Sequence, residues 1–346
     1  MRMKVPKLFT DAMSGRSKWQ RDISAWQRDM ASWMQDAPAP VAPAPLKKPR
    51  KKPGRLKQTN AFGNNPGDLT MLHYTPPKLA VGAALVVVLH GCEQAAEDFD
   101  AASGWSDLAN RDGFALLYPE QKAGNNPNRC FNWFRPSAAS RDRGEVMSVR
   151  CMIDYMLENH ALSNKRIHIF GLSAGGAMAA ALLASYPDMF AGGAIVAGLP
   201  FGAARDAMGA MSAMSSGASK GPVEWGDLAR AASDKKTGFP PLSIWHGVSD
   251  RVVSVANADG LADQWLDLHD LDRSGASELK VGRQTIRHWS NAKGEVAVEQ
   301  RLIDDMDHGL PVSARNLLQA PDKRFFYDVG VDAATEMAKR WQLAAK

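Results

Sequence analysis

The sequence contains few cysteines and no long apolar segment. Three Cys in 346 residues cannot form a disulfide framework, so a hydrophobic core must hold the fold and at most one bridge can form. No apolar run reaches the roughly 18 to 20 residues that a membrane-spanning helix needs, and we expect no transmembrane segment. With 45% hydrophobic and 23% charged residues, the composition is that of a globular protein and excludes fibrous or wholly disordered classes.

The formal net charge of +5 conceals two regions of opposite sign. Residues 1–60 hold 14 Lys or Arg against 4 Asp or Glu, whereas the rest of the chain holds 28 against 33. A basic arm on an acidic body is typical of a segment that associates with a surface, such as anionic lipid or an acidic protein coat. We do not expect nucleic acid as the partner. A solvated, disordered leader is the alternative interpretation.

Residues 1–36 contain a seven-residue repeat in which Trp19, Trp26 and Trp33 occupy equivalent positions. Ile23 and Met30 complete an apolar stripe along one helix face, with polar residues opposite. The pattern predicts an amphipathic helix, and tryptophan suits a boundary between an apolar phase and water. We expect this helix to bind a partner or a surface; self-association is the alternative.

A proline-rich and polybasic segment follows over residues 37–60. Alternating prolines in residues 37–45 favour an extended spacer, and seven bases between residues 47 and 57 leave too little apolar content for folding. We therefore expect a disordered linker. The N-terminus shows no apolar stretch followed by a small-residue cleavage site, so the sequence predicts no secretory signal and a cytoplasmic protein.

From residue 61 to residue 346 short apolar runs alternate with helical patterns, which is the signature of an α/β domain with a mostly parallel sheet covered by helices on both faces. The β-branched run at 85–89 is typical of a strand buried on both sides. The other predicted strands are 114–118, 166–170, 193–197, 242–246 and 296–303. Helices are predicted at 148–159 and 177–185, and residues 202–240, rich in small residues and Met, are a candidate lid.

The strongest chemical signal is the G-x-S-x-G pattern formed by Gly171, Ser173 and Gly175, directly between a predicted strand and a predicted helix. In this setting the pattern predicts a nucleophile elbow, a sharp turn that exposes the serine hydroxyl at the carboxyl edge of the sheet. The two glycines are required because side chains there would collide with the neighbouring strand and helix.

A serine hydroxyl needs a base to accept its proton, and the base needs an orienting acid. Asp250 follows the strand at 242–246 and His308 follows the strand at 296–303, so both belong at the same sheet edge as Ser173. We predict that Asp250 is the acid and His308 the general base. The rival acids Asp304, Asp305 and Asp307 share the loop of His308 and are poorly placed to support it from behind.

An oxyanion that forms on a substrate carbonyl needs two preorganised N–H donors. We expect one from Ala174, which follows the nucleophile. The second is expected from the backbone of Cys92, in the loop after the strand at 85–89.

These motifs resemble the polyhydroxybutyrate depolymerase family of esterases. The similar stretches are LHGCEQ at 89–94, YPEQKAGNNPNRCFNWF at 118–134, GLSAGGAM at 171–178, YPDMFAGGAIVAGLPFG at 186–202 and IWHGVSDRVV at 244–253. The resemblance implies an α/β-hydrolase fold and the same roles for Ser173, Asp250 and His308. One departure is the histidine loop, which reads DHGLPV where the family has a sequence like GHAWPG.

The resemblance also implies a disulfide between Cys92 and Cys130, which would fix the oxyanion loop to an aromatic wall. Trp133, Gln94 and Leu199 are then expected to contact the substrate. No metal or organic cofactor is expected.

We therefore expect a serine esterase that hydrolyses short-chain polyhydroxyalkanoates or their oligomers through an acyl-enzyme. A feruloyl or acetylxylan esterase is the first alternative. A protein that chiefly coats a granule or membrane through its N-terminal helix is the second. Under the main interpretation, the tryptophan helix binds a polyester granule in the cytoplasm. An extracellular location, as in secreted members of the family, is the alternative.

Overall fold

The computed structural model describes residues 55–344. The predicted helix at 1–36 and the linker up to residue 54 lie outside the described residues. The strands are β1 (Lys57–Thr59), β2 (Thr70–Tyr74), β3 (Ala83–Leu89), β4 (Ala115–Glu120), β5 (Leu162–Leu172), β6 (Gly192–Val196), β7 (Leu242–Gly247), β8 (Ser277–Val281), β9 (Gln284–Ser290), β10 (Val296–Ile303), β11 (Leu310–Pro311) and β12 (Phe326–Tyr327).

The described residues also form ten α-helices. They are α1 (Ala96–Ser103), α2 (Trp105–Asp112), α3 (Pro136–Ala139), α4 (Gly144–Asn159), α5 (Ala174–Ser185), α6 (Ala207–Ser216), α7 (Pro222–Ala232), α8 (Ala256–Leu268), α9 (Ala314–Gln319) and α10 (Ala333–Arg340). None of the helices in residues 55–344 has the length and apolar character required to cross a bilayer.

Ten strands form one sheet in the order β1-β2-β4-β3-β5-β6-β7-β10-β9-β8. The six central strands, from β4 to β10, pair in parallel, while β1, β2, β9 and β8 add antiparallel pairs at the two ends. These six are the strands that the sequence predicts, and the mostly parallel sheet is confirmed. Because parallel strands all end at the same edge, the loops after β3, β5, β7 and β10 meet there.

Strand β3 shows why both faces of the sheet need covering. All seven of its residues are buried. Leu85 and Val87 point into one core cluster and Val86 and Val88 into the other, as the two-residue period of a strand requires. Residues of α4, α5 and α8 fill the first cluster, and residues of α1, α2 and α10 fill the second.

The structure corrects the predicted boundary between linker and domain at residue 60. Strand β1 lies inside the predicted linker and pairs antiparallel with β2, with Lys57 opposite His73 and Thr59 opposite Met71. Leu56 packs against the second core cluster. The polybasic composition did not reveal this strand, because β1 is held by pairing with β2 and has no buried residue of its own.

The segment predicted as a lid, residues 202–240, contains helices α6 and α7. The carbonyl of Met214 accepts a 2.7 Å hydrogen bond from the N–H of Ser254, and the carbonyl of Ala213 accepts one of 2.8 Å from the side chain of Asn257. Trp225 of α7 is buried. These contacts hold α6 beside the loop that leads into α8. Movement of this segment as a lid stays a prediction.

Removing β1 should weaken the fold. A chain that begins at residue 61 loses the β1–β2 ladder, the packing of Leu56 and the 3.1 Å hydrogen bond between Thr59 Oγ1 and His73 Nε2. We expect its free energy of unfolding to be about 1 to 3 kcal/mol below that of a chain beginning at residue 55, as measured by urea denaturation. Equal stabilities would show that β1 contributes nothing.

Candidate active site

Ser173 occupies a strained turn between β5 and α5. Its φ of 56° and ψ of −119° are unfavourable for a residue with a side chain, and its N–H donates a 2.9 Å hydrogen bond to Val196 O in β6. A Cβ at Gly171 would collide with the carbonyl of Gly175, and one at Gly175 would collide with the carbonyl of Leu89. Both glycines are therefore required for this turn to form.

Ser173, His308 and Asp250 form a continuous line of hydrogen bonds. The Oγ of Ser173 lies 2.9 Å from Nε2 of His308, and the other ring nitrogen, Nδ1, lies 2.8 Å from Oδ2 of Asp250. With Nδ1–H donating to the carboxylate, Nε2 is free to accept the proton of the hydroxyl. The structure thus brings together the three residues that the sequence pattern selects, although 135 positions separate Ser173 from His308.

The carboxylate of Asp250 is fully buried and surrounded by donors. Its Oδ1 accepts hydrogen bonds from the N–H groups of Val252 at 2.9 Å and Val253 at 2.7 Å. Nε2 of His246 lies 3.2 Å from Oδ2 and 2.8 Å from Val253 O, and since both neighbours are acceptors this nitrogen carries a proton. Burial raises the pKa of Asp250, but His308 and His246 outweigh burial and hold the pKa below its ordinary value. The acid is therefore ionised near neutral pH.

Asp307, one of the rejected rival acids, joins the loop of His308 to the loop of Asp250. Its Oδ1 accepts from the N–H of His308 at 2.8 Å and from the N–H of Arg251 at 3.0 Å, while the Arg251 guanidinium binds Oδ2. The other two rivals pair with bases instead, Asp304 with Lys280 and Asp305 with Arg283. Sequence position alone did not reveal that Asp307 joins the loops of His308 and Asp250.

A small cavity, partly open to solvent, lies over the serine hydroxyl. It is lined by Gly91, Cys92, Gln94, Leu172, Ser173, Val252, His308 and Phe325. Ser173 is only 8% exposed, so access is narrow. Among the described residues, no acceptor takes the N–H of Cys92 or of Ala174. Both predicted oxyanion donors are therefore available; Cys92 lines the cavity and Ala174 follows Ser173 in the chain.

A disulfide joins Cys92 to Cys130, the pair that the family resemblance implies. The N–H of Glu93 donates a 2.7 Å hydrogen bond to Asn128 O, so the two loops also share a backbone contact. The third cysteine, Cys151 of α4, is free and partly buried. The bridge fixes the loop that carries Cys92, the predicted oxyanion donor.

The three expected substrate contacts lie in different surroundings. Gln94 lines the cavity, and its Oε1 accepts a 2.8 Å hydrogen bond from the N–H of Gly91. Trp133 is packed in the first core cluster, edge-on to Phe134, and Leu199 is 1% exposed in the same cluster. The cavity lining does not include Trp133 or Leu199, and their contact with the substrate stays a prediction.

Three apolar lining residues, Leu172, Val252 and Phe325, were not among the expected substrate contacts. The ring of Phe325 packs edge-on against His308 with a 5.7 Å centroid separation. Phe325 comes from the segment before β12, which has no strand or motif pattern in the sequence. In residues 55–344 no group of three His, Cys, Asp or Glu side chains is arranged to hold a metal ion.

Comparison with known proteins defines first the fold and then the family. The structure of an acetyl xylan esterase from Aspergillus awamori matches with a TM-score of 0.72 at 18% identity, over 84% of this chain and 100% of that one. This similarity shows the α/β-hydrolase fold. The sequence model of the family described as "Esterase PHB depolymerase" matches residues 69–287. The chain belongs to this family.

Two curated relatives show the range of the similarity. The poly(3-hydroxyalkanoate) depolymerase C of Paucimonas lemoignei is 42% identical over 258 residues, which are 74% of this chain and 62% of that protein. A feruloyl esterase B of Thermothelomyces thermophilus is 31% identical over 217 residues, 61% of this chain and 74% of that protein. The chain therefore spans less than two thirds of the depolymerase.

Replacing Asp250 by Asn should disable the base. The variant keeps the shape of the acid but loses the charge that holds Nδ1–H of His308, and we expect kcat for p-nitrophenyl butyrate to fall about 10³- to 10⁴-fold. An Asp304→Asn variant, altered in the same loop as the base, should stay within about twofold of wild type. Equal kcat values for Asp250→Asn and wild type would exclude Asp250 as the acid.

The same variant should change the dependence of stability on pH. Because the pKa of Asp250 is lowered in the folded state, its stabilisation is fully present above the ordinary carboxyl pKa of about 4 and is lost as the pH falls through the folded value. We expect the difference in unfolding free energy between wild type and Asp250→Asn to shrink as the pH falls below about 4. A difference that grows as the pH falls below 4 would contradict this assignment.

Removing the disulfide should lower stability. The bridge closes a loop over a sequence separation of 38, and we expect a Cys92→Ala/Cys130→Ala variant to lose about 2 to 4 kcal/mol of unfolding free energy. A Cys151→Ala variant is the matched control and should lose less than about 1 kcal/mol. If the double variant is as stable as the control, the bridge does not constrain the fold.

Proposed function

We propose that the protein is a serine esterase that acts through an acyl-enzyme. The observation that carries the proposal is the hydrogen-bonded line from Ser173 through His308 to Asp250 at a strained strand-to-helix turn. In the first step Ser173 Oγ attacks the ester carbonyl while Nε2 of His308 takes its proton. The negative charge that develops on the carbonyl oxygen is accepted by the N–H groups of Cys92 and Ala174.

Collapse of this tetrahedral intermediate breaks the ester bond. The leaving alcohol takes the proton from His308, and the acyl group stays on Ser173. A water molecule then gives a proton to His308 and attacks the acyl carbon, and the carboxylic acid departs as Ser173 recovers its proton. Asp250 keeps the imidazole oriented and stabilises its positive charge in both halves of the reaction.

For the substrate we propose a polyester of short hydroxyacids or its oligomers. Support comes from the 42% identity to the Paucimonas lemoignei depolymerase, compared with 31% to a feruloyl esterase. The cavity wall supplies Leu172, Val252 and Phe325 as apolar surface and no Lys, Arg, Asp or Glu. Such a wall suits a neutral, aliphatic acyl group. An acyl group from plant polysaccharide, feruloyl or acetyl, is the second candidate, on the strength of those relatives.

As partner we propose the surface of a polyhydroxyalkanoate granule, bound through Trp19, Trp26 and Trp33. The sequence supports this proposal, since the tryptophans share one face of the predicted helix and the basic run that follows suits an anionic coat. A granule in the cytoplasm is the location that we propose. The Cys92–Cys130 disulfide favours an oxidising compartment and therefore the extracellular alternative.

Release of 3-hydroxybutyrate from native amorphous granules tests the proposal, with p-nitrophenyl butyrate as the soluble control substrate. The proteins to compare are wild type, Ser173→Ala, a chain beginning at residue 55, and a Trp19→Ala/Trp26→Ala/Trp33→Ala variant of the full chain. The truncation retains β1, and the tryptophan variant retains the length and charge of the N-terminal arm. We expect Ser173→Ala to lose activity on both substrates.

We further expect the truncation and the tryptophan variant to cleave the soluble ester like wild type and to lose most granule hydrolysis. Hydrolysis of the soluble ester without any attack on granules would leave a serine esterase with another substrate. Granule binding by Ser173→Ala together with undetectable hydrolysis by wild type would instead indicate a protein that only coats the surface.

A further inference from the structure

A buried carboxylate lies behind the loop that carries the oxyanion donor. Glu145, in the first turn of α4, is 3% exposed, and burial raises the pKa of its carboxyl group. Three N–H groups donate to it: the side chain of Gln121 at 2.7 Å, and the side chain and backbone of Asn132 at 2.6 and 2.8 Å. It plays no part in the proton transfers between Ser173, His308 and Asp250.

One set of contacts runs from Glu145 through Gln121 to His90. The side-chain amide of Gln121 is held by Glu145, and its backbone N–H donates a 3.1 Å hydrogen bond to Nε2 of His90. Burial lowers the pKa of His90, so its ring is neutral near pH 7 and has one N–H. Since Nε2 accepts, Nδ1 carries the proton and donates to Gly91 O at 2.7 Å.

This hydrogen bond sets the direction of the predicted oxyanion donor. The carbonyl of Gly91 and the N–H of Cys92 belong to the same planar, trans peptide unit and point in opposite directions. When His90 holds the carbonyl on one side, the N–H must face the other. Gly91 and Cys92 both line the cavity over Ser173, and a Cβ at Gly91 would lie 3.6 Å from the Cβ of Ser173.

A second set of contacts reaches the same peptide unit through the disulfide. Glu145 holds Asn132, and the side chain of Gln121 donates to Cys130 O at 3.2 Å as well as to Glu145. Cys130 is bonded to Cys92. The two sets of contacts therefore begin at one carboxylate and meet at the Gly91–Cys92 peptide.

We propose that Glu145 is a positioning residue for the oxyanion hole and acts through His90 and through Cys130 on the Gly91–Cys92 peptide. This inference rests on the proposed function, because it assumes that the Cys92 N–H receives the charge of the tetrahedral intermediate. A displacement of about 1 Å of such a donor is enough to reduce a rate substantially.

The test is a Glu145→Gln variant of the full chain. The carboxylate accepts three hydrogen bonds, from the side chain of Gln121 and from the side chain and backbone of Asn132. The Gln amide replaces one carboxylate oxygen by an NH₂ group, which donates and cannot accept, so these three hydrogen bonds cannot all persist. We expect kcat for p-nitrophenyl butyrate to fall about 10- to 100-fold with KM within about twofold of wild type. The affinity for butylboronic acid, which forms a tetrahedral adduct with a serine hydroxyl, should fall by a similar factor.

Glu299→Gln is the matched control. Glu299 is also a buried glutamate, but it lies on β10 and pairs with His288, Arg301 and Arg340. Glu299→Gln should lower the unfolding temperature, while kcat and the affinity for butylboronic acid stay within twofold of wild type. A merely structural role for Glu145 would make the two variants alike.

A pair of His90 variants keeps the test decisive if Glu145→Gln does not fold. In His90→Asn the side-chain NH₂ can occupy the place of Nδ1–H and donate to Gly91 O, whereas His90→Leu cannot donate. We expect His90→Leu to lose at least tenfold in kcat and in boronic acid affinity, and His90→Asn to recover most of both.

The inference is overturned if folded Glu145→Gln or His90→Leu retains kcat and boronic acid affinity within twofold of wild type. His90→Asn behaving like His90→Leu would also overturn it. Retention of hydrolysis by Ser173→Ala is a different outcome, because it removes the proposed function itself.

Discussion

The backbone of Ser173 is the constraint on which the rest of the site depends. A φ of 56° and a ψ of −119° cost about 1 to 3 kcal/mol for a residue with a side chain, and the turn persists because the surroundings determine it. Val196 O accepts its N–H, and Gly171 and Gly175 leave room where a Cβ would collide with backbone. With the hydroxyl fixed in this way, the loops after β3, β7 and β10 must each bring their groups to one point.

The structure meets this requirement by joining those loops to each other rather than only to the sheet. Asp307 links the base loop to the acid loop through two backbone N–H groups and Arg251, and the Cys92–Cys130 disulfide links the oxyanion loop to the segment after β4. Positive φ values at Glu93 and Phe325, which flank the cavity, are further local costs. These local costs lie at the nucleophile and beside the cavity, whereas the alternating faces of β3 follow simple packing rules.

The central sheet and the positions of the reacting groups could be predicted from the sequence, because both depend on local patterns. Apolar runs locate β3, β5 and β7. Ser173, Asp250 and His308 each follow the end of a parallel strand, which places all three at one edge of the sheet. The cavity lining was less predictable: Val252 and Phe325 lie beside Gln94 because contacts between residues distant in sequence decide which side chains reach the cavity. Phe325 and the Glu145 contacts have no local signature, and β1 depends on its pairing with β2 rather than on apolar residues of its own.

The most direct test of the account is to identify the residue that becomes acylated. The full chain is mixed with p-nitrophenyl butyrate, quenched within milliseconds and digested, and the peptides are analysed by mass spectrometry. We predict one butyryl group on Ser173, transient in wild type and absent from Ser173→Ala. Hydrolysis at the wild-type rate with the butyryl group on another residue, or with no covalent adduct at any time, would contradict the central claim.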